Sequence, residues 1–189
     1  MAHNLIFEGA ELAGKSWLMS QVYDHLERKY NTSENILDGC LWLNCDLGIF
    51  GSRDAEILIQ NYLDLFEKLK HRNIIVEKFC ISDAVYQFLY RGKQIDYREI
   101  LEKLKILDFK IILINFLEDQ ELIKSRIQDR LNLYPHYARI VKDADWYIEQ
   151  QKLYKEKINN SPLPVLEITT NKLPDEKLVD DILKWIGEG

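Results

Sequence analysis

Phe7-Glu8-Gly9-Ala10-Glu11-Leu12-Ala13-Gly14-Lys15-Ser16 is the stretch around which the rest of the chain is interpreted. A short apolar run, Leu5-Ile6-Phe7, precedes the first glycine, and Leu18, Val22 and Leu26 recur at helical spacing after the loop. The pattern predicts a buried strand, a glycine-containing turn and a helix. The backbone N–H groups of such a turn, together with the positive end of the helix macrodipole, favour the binding of an anion.

Residues 9–16 also fit the pattern G-x-x-x-x-G-K-S, which is the phosphate-binding loop (P-loop) of nucleoside triphosphate enzymes. In such a loop the lysine reaches the terminal phosphates and the serine hydroxyl binds Mg²⁺. We therefore predict that this loop binds ATP and that Mg²⁺ is the cofactor. The predicted ATP-binding residues are Gly9, Ala10, Glu11, Leu12, Ala13, Gly14, Lys15, Ser16 and Trp17.

The composition indicates a single globular domain over residues 1–189. The formal net charge of -6 argues against binding to duplex nucleic acid, because such binding depends on many cationic contacts to phosphates. No apolar stretch is long enough to cross a membrane. The three cysteines lack C-x-x-C spacing, which is typical of a reducing compartment, and we expect a cytoplasmic protein.

Short apolar strands alternate with helical segments along the chain. This alternation predicts an α/β protein with the three-layer P-loop NTPase fold, in which about five parallel strands are flanked by helices and a small helical lid. One long helix is expected over residues 137–159. The predicted strands cover residues 5–8, 40–45, 73–77, 109–116 and 164–168.

Carboxylates end several of the predicted strands. Glu8, Asp46 and Glu77 each stand at the carboxyl end of a strand. Because ligands of open parallel sheets bind outside the carboxyl ends of the strands, we expect these side chains to border one crevice.

Residues 77–87 carry a resemblance to a known family. The segment resembles the thymidylate kinase signature D-R-Y-x-x-S-x-x-A-Y-Q, and the loop resembles F-E-G-x-D-x-x-G-K-S with Glu11 in place of the aspartate. Glu77, Lys78 and Phe79 replace the aspartate, arginine and tyrosine of the signature, and the family's T-R-E-P-G-G segment is missing. Glu8 and the Glu77-Lys78 pair also resemble the corresponding motifs of deoxynucleoside kinases.

The resemblance implies an ATP-dependent phosphotransferase that acts on a nucleoside monophosphate. Ser16 and Glu77 would hold Mg²⁺. Lys78 would hold the acceptor phosphate without the bidentate fork of an arginine, and Arg53 is a candidate to compensate. The implied acceptor-binding residues are Glu11, Arg53, Lys78, Phe79, Ser82, Tyr86 and Gln87, with the aromatic and amide side chains recognising the base.

Residues 119–140 are predicted to form the lid. Arg126 and Arg130 are four residues apart, so that both guanidinium groups face the same side of a helix. In kinases of this group such arginines neutralise charge on the transferring phosphoryl group. The predicted catalytic residues are Lys15, Glu77, Arg126, Arg130 and Glu8, the last as a base where the acceptor is a hydroxyl.

Two other functions stay open at this point. One is a deoxynucleoside kinase, and the other is a regulatory P-loop protein that binds a nucleotide without phosphorylating a small molecule. The resemblance also implies a possible homodimer. Tyr62, Leu65 and Phe66 fit either its interface or the core.

Overall fold

The computed structural model describes residues 2–45, 50–172 and 174–189. Within these ranges five strands form one fully parallel sheet in the order β2-β3-β1-β4-β5. The predicted fold class is therefore confirmed. Asp46, which was expected to end the second strand, lies outside the described residues. The strands are β1 (Asn4–Glu8), β2 (Cys40–Asn44), β3 (Asn73–Glu77), β4 (Phe109–Phe116) and β5 (Val165–Thr170).

Helices cover both faces of the sheet. Every residue of β1 and β3 is buried, as expected for central strands between two helical layers. In one layer α1 packs against α7, and elsewhere α3 packs against α6 and α2 against α4. The helices are α1 (Lys15–Tyr30), α2 (Ala55–Leu69), α3 (Cys80–Arg91), α4 (Arg98–Ile106), α5 (Gln120–Leu133), α6 (Ala144–Asn159) and α7 (Glu176–Ile186). Along the described ranges, no helix is long and apolar enough to span a bilayer.

The long helix predicted for residues 137–159 is wrong in its first part. A 3-10 helix covers Pro135–Arg139, and α6 begins only at Ala144. Asp143 has an extended backbone, and its side chain accepts a hydrogen bond from the backbone N–H of Trp146 at 2.8 Å. This N-cap starts a new helix. The predicted lid, residues 119–140, thus consists of α5 and the 3-10 helix.

Two of the side chains that fitted either a dimer interface or the core pack against the core. Phe66 is fully buried in the core, where its ring lies 5.3 Å from that of Phe79 and 5.0 Å from that of Phe109. Tyr62 is half-buried against the same cluster. The homodimer stays a prediction.

Gly9 fixes the position of the P-loop on the sheet. Its φ is +135°, and a Cβ at this position would lie 2.1 Å from the carbonyl oxygen of Ile114 in β4. Only a residue without a Cβ allows the loop to approach β4 so closely. This contact sets where the loop's backbone N–H groups point.

Gly9→Ala should therefore destabilise the fold more than an alanine at another glycine of positive φ. Gly92→Ala is the matched control, because Gly92 has φ +62° and nothing within 4 Å of the added Cβ. We expect a loss in the free energy of unfolding of about 1–2 kcal/mol for the control and of more than about 3 kcal/mol for Gly9→Ala. Urea unfolding of both variants measures the difference, and equal losses would refute the close approach.

Candidate active site

Lys15 lies at the centre of the P-loop. Its ammonium donates hydrogen bonds to the carbonyl oxygens of Gly9 and Ala10, both at 2.7 Å, and the side chain is buried. Burial, together with the nearby charge of Lys78, lowers the pKa of Lys15 to about 7, although nearby carboxylates act in the opposite direction. Nearby negative charge thus does not fully compensate the Lys15 ammonium, and a bound phosphate would supply the missing charge.

The rest of the loop follows the expected arrangement between β1 and α1. Ala10 and Ala13 are fully buried, and Gly14, with φ +86°, precedes the first residue of α1. Leu12 also has a positive φ, of 65°, which is uncommon for a side chain of its kind. Trp17 is half-buried on the first turn of α1 and packs against the core.

Ser16 and Glu77 meet at the ends of two different elements. The Ser16 hydroxyl donates to Oε1 of Glu77, the last residue of β3, at 2.6 Å. Magnesium prefers oxygen ligands and keeps few protein ligands besides phosphate oxygens and waters, so a hydroxyl beside one carboxylate fits this ion. The structure brings the two predicted metal ligands together. Elsewhere in the described ranges, no cluster of three or more His, Cys, Asp or Glu side chains is suited to a metal.

Arg126 is held by backbone oxygens. Its guanidinium donates to the carbonyl oxygens of Leu12 at 2.9 Å, Thr170 at 3.1 Å and Asn171 at 2.8 Å. Thr170 ends β5, and its hydroxyl lies 2.9 Å from the carbonyl oxygen of Ala13. Arg126 therefore joins the P-loop to the end of β5. The predicted role of Arg126 and Arg130 over the phosphoryl group stays a prediction.

Lys78 and Glu11 face each other across Tyr86. Lys78 has φ +59° and is buried, with its ammonium 5.2 Å from the centroid of the Tyr86 ring and 3.3 Å from its hydroxyl. The Tyr86 hydroxyl donates to Glu11 at 2.6 Å. Burial raises the pKa of Glu11, but the charge of Lys78 and the hydroxyls of Tyr137 and Tyr86 outweigh it, so the net pKa is lowered. This carboxylate is ionised at neutral pH.

A row of aromatic side chains, which sequence analysis missed, extends from Tyr86 across the contact between α3 and α6, and the surface beside it is the candidate acceptor cleft. The Tyr86 and Tyr90 rings stack at 5.7 Å with an interplanar angle of 12°, and Trp146 of α6 lies 6.1 Å from Tyr90. Tyr147 follows edge-on at 5.2 Å from Trp146. The spacing of Tyr86 and Tyr90, i and i+4 on one helix, was the available local signal. No comparable spacing marked the aromatic residues that α6 contributes.

Of the other predicted acceptor residues, three are buried and Arg53 is exposed. Arg53 is exposed and pairs with Asp54, with 89% of its side chain accessible. Phe79 is fully buried in the core, so its ring cannot stack on a base as predicted. Ser82 is buried between Glu8 and Tyr154. Gln87 is also buried and donates to the carbonyl oxygen of Ser52 at 2.7 Å.

Glu8 lies beneath the start of α3. One carboxyl oxygen accepts hydrogen bonds from the backbone N–H groups of Phe79 at 2.9 Å and Ser82 at 3.3 Å, and the other accepts from the Ser82 hydroxyl. Burial raises the pKa of Glu8 in spite of these bonds and of the charge of Lys15. Since every contact goes to α3, the geometry gives Glu8 the role of an N-cap and does not present it to a substrate hydroxyl as predicted.

Two further residues complete the loop's surroundings. Gln150 of α6 accepts a hydrogen bond from the backbone N–H of Glu11 at 2.8 Å. Tyr137, the buried residue of the 3-10 helix, donates its hydroxyl to the Glu11 carboxylate. Both contacts join positions more than 100 residues apart, so local sequence patterns could not have revealed them.

No protein-family model and no curated protein matches the chain. Solved structures do match over nearly the full length. The YorR protein of Bacillus subtilis in complex with phosphorylated GDP has a TM-score of 0.66 at 19% identity, with 96% of this chain and 94% of that chain covered. A shikimate kinase from Bacteroides thetaiotaomicron has a TM-score of 0.56 at 13% identity, with 97% and 98% covered.

A thymidylate kinase from Ehrlichia chaffeensis matches with a TM-score of 0.53 at 12% identity, with 98% of each chain covered. The chain therefore has the fold of P-loop kinases. The likeness does not favour thymidylate kinases in particular, because the shikimate kinase superposes as well.

Replacement of Glu8 separates its capping role from its charge. Glu8→Ala leaves the N–H groups of α3 unsatisfied, and we expect it to be less stable than Glu8→Gln by about 1–3 kcal/mol. A raised pKa means that the folded state binds the proton more tightly than the unfolded state. The stability that the protonated Glu8 carboxyl adds is therefore complete below the ordinary pKa of 4.5 and is lost as the pH rises.

Relative to Glu8→Gln, the wild type should therefore lose stability as the pH rises above the ordinary pKa of 4.5. Denaturant unfolding of the three proteins across this range measures both effects. A wild type that gains stability over Glu8→Gln as the pH rises would contradict the buried, raised carboxyl.

Proposed function

We propose that this protein is an ATP-dependent phosphotransferase that phosphorylates a nucleoside monophosphate. The observation that carries the proposal is the convergence of the Lys15 ammonium and the Ser16–Glu77 pair at one end of an aromatic cleft that also holds Lys78. Lys15 and the Ser16–Glu77 pair suit the phosphates of a donor, and the cleft suits a flat, anionic acceptor. The P-loop kinase fold supports the general reaction.

On the donor side, the backbone N–H groups of residues 9–16 would cradle the phosphates at the start of α1. Lys15 would leave the carbonyl oxygens of Gly9 and Ala10 and take up the charge between the β- and γ-phosphates. Arg126, which joins the P-loop to the end of β5, would help to hold the loop in the shape that binds the phosphates.

Ser16 and Glu77 would hold Mg²⁺, the serine directly and the glutamate directly or through water. When bound, the ion neutralises charge on the transferring phosphoryl group and aligns it for in-line transfer. The present hydrogen bond between Ser16 and Glu77 keeps both oxygens in the place where the ion would need them.

On the acceptor side, a monophosphate is favoured over a hydroxyl by the position of Glu8. A hydroxyl acceptor benefits from a base, and Glu8 is occupied at the start of α3. A phosphate acceptor is already ionised at neutral pH. Lys78 would face its charge, while the exposed ring of Tyr90 and the half-buried ring of Trp146 would stack on the base.

One observation supports a second candidate, a nucleoside kinase. The ionised Glu11 lies beside Lys78 and offsets its charge, which makes this part of the cleft less favourable to an acceptor phosphate. Carboxylates of this kind also suit hydrogen bonds to sugar hydroxyls. The charge state of the acceptor is therefore the property that separates the two candidates.

A coupled ADP-release assay with a panel of nucleoside monophosphates and nucleosides tests the proposal. We expect turnover with at least one monophosphate and none with the nucleosides. Lys15→Ala should lower kcat by about 10²–10³-fold, because it removes a charge aimed at the transferring group. Lys93→Ala is the matched control, since Lys93 is exposed and outside the cleft.

The other outcomes are equally clear. Turnover with nucleosides alone would replace the proposal by the second candidate. Nucleotide binding that Lys15→Ala abolishes, without ADP release for any acceptor, would identify a regulatory binding protein instead.

Binding of ATP should also take up a proton. The pKa of Lys15 is about 7 without phosphate, and bound phosphates favour the ammonium, so the pKa rises in the complex. Above about pH 7.5, where ATP itself no longer titrates, affinity should fall by up to about tenfold per pH unit. Calorimetry in buffers of different ionisation enthalpy measures the proton uptake. An affinity that does not change with pH above this value would contradict the lowered pKa.

A further inference from the structure

The segment between α5 and α6 contacts the rest of the molecule at few points. All residues from 132 to 140 are exposed except Tyr137, which is 8% accessible, and the chain becomes buried again only at Ala144. A segment with so few buried contacts opens easily. What Tyr137 contacts therefore determines where this part of the lid lies.

Tyr137 contacts the P-loop. Its hydroxyl donates to Oε2 of Glu11, while the hydroxyl of Tyr86 donates to Oε1 at 2.6 Å. Both oxygens of Glu11 are thus used, and the carboxylate is held in place by hydroxyls from the lid and from α3. A tyrosine bonded to a carboxylate that stays ionised makes a strong, directional tie.

The ring of Tyr137 carries a second contact. The guanidinium carbon of Arg130 lies 4.8 Å from its centroid, closer than the 6.0 Å to the ring of Tyr134. An arginine at this distance from an aromatic face is held by a cation–π interaction and by stacking. Unlike Arg126, which is fixed by carbonyl oxygens, Arg130 therefore depends on a ring that Glu11 holds in place.

We propose that Tyr137 is a positioning residue, which ties the lid to Glu11 of the P-loop through its hydroxyl and thereby holds Arg130 beside the phosphoryl-transfer site. The inference rests on the proposed function for the step that Arg130 serves. A phosphate-facing arginine is effective only when it is preorganised, and here the preorganisation passes through one hydroxyl group.

Tyr137→Phe removes this hydroxyl and keeps the ring. Tyr134→Phe is the matched control, because its ring also adjoins Arg130 but its hydroxyl has no partner among the described residues. We expect Tyr137→Phe to lower kcat about 10- to 100-fold with little change in the KM for ATP. The control should retain the wild-type kcat.

A double-mutant cycle shows whether the effect passes through Arg130. In an Arg130→Ala background, Tyr137→Phe should cause no further loss of kcat, because the residue it positions is gone. A loss of the same size in both backgrounds, or a raised kcat in Tyr137→Phe, would overturn the inference.

Amide hydrogen exchange provides a readout that needs no activity. Residues 132–142 should exchange faster in Tyr137→Phe than in the wild type or in Tyr134→Phe, whereas the amides of β1 and β4 should not change. Unchanged exchange in Tyr137→Phe would overturn the tie. If the wild type phosphorylates no acceptor, the proposed function is wrong, and the exchange rates alone then support or overturn the tie.

Discussion

The structure depends on how five ionisable side chains are accommodated at the carboxyl edge of the sheet. Lys15, Lys78, Glu8 and Glu77 are buried, and Glu11 is half-buried beside them. Isolated buried charges are costly, so each of these groups needs a partner. The carboxylates do not fully compensate Lys15, whose pKa falls to about 7. In the proposed complex, the triphosphate provides the missing negative charge, and affinity for the donor follows from this imbalance.

Features that are encoded within short stretches could be predicted from the sequence. The strand, turn and helix around Gly9 are local, and so are the strands that end at Glu8 and Glu77. Parallel pairing then brings the Glu77 carboxylate beside Ser16, because the carboxyl ends of the strands lie at one edge of the sheet. The N-cap at Asp143 was also local, and overlooking it led to the wrong start of α6.

The side chains that border the cleft could not be predicted, because they depend on which face of α3 meets the cleft. Phe79 and Ser82 point into the core and toward Glu8, while Tyr86 and Tyr90 point toward α6. A motif match does not distinguish the positions that point into the core from those that point toward α6. The first turn of α3 is fixed by Glu8, a residue on another element, and the helix's rotation about its axis follows from this long-range contact.

The two halves of the candidate site differ in how they are assembled. One stretch of eight residues, with Glu77, builds the donor side, so few substitutions can change it without losing the loop. The proposed acceptor side would take Lys78, Tyr90, Trp146 and Tyr137 from separate parts of the chain. A different set of side chains there would suit a different acceptor, as expected when one fold carries different sites. In the proposed function, the identity of the acceptor is therefore set by the cleft and not by the P-loop.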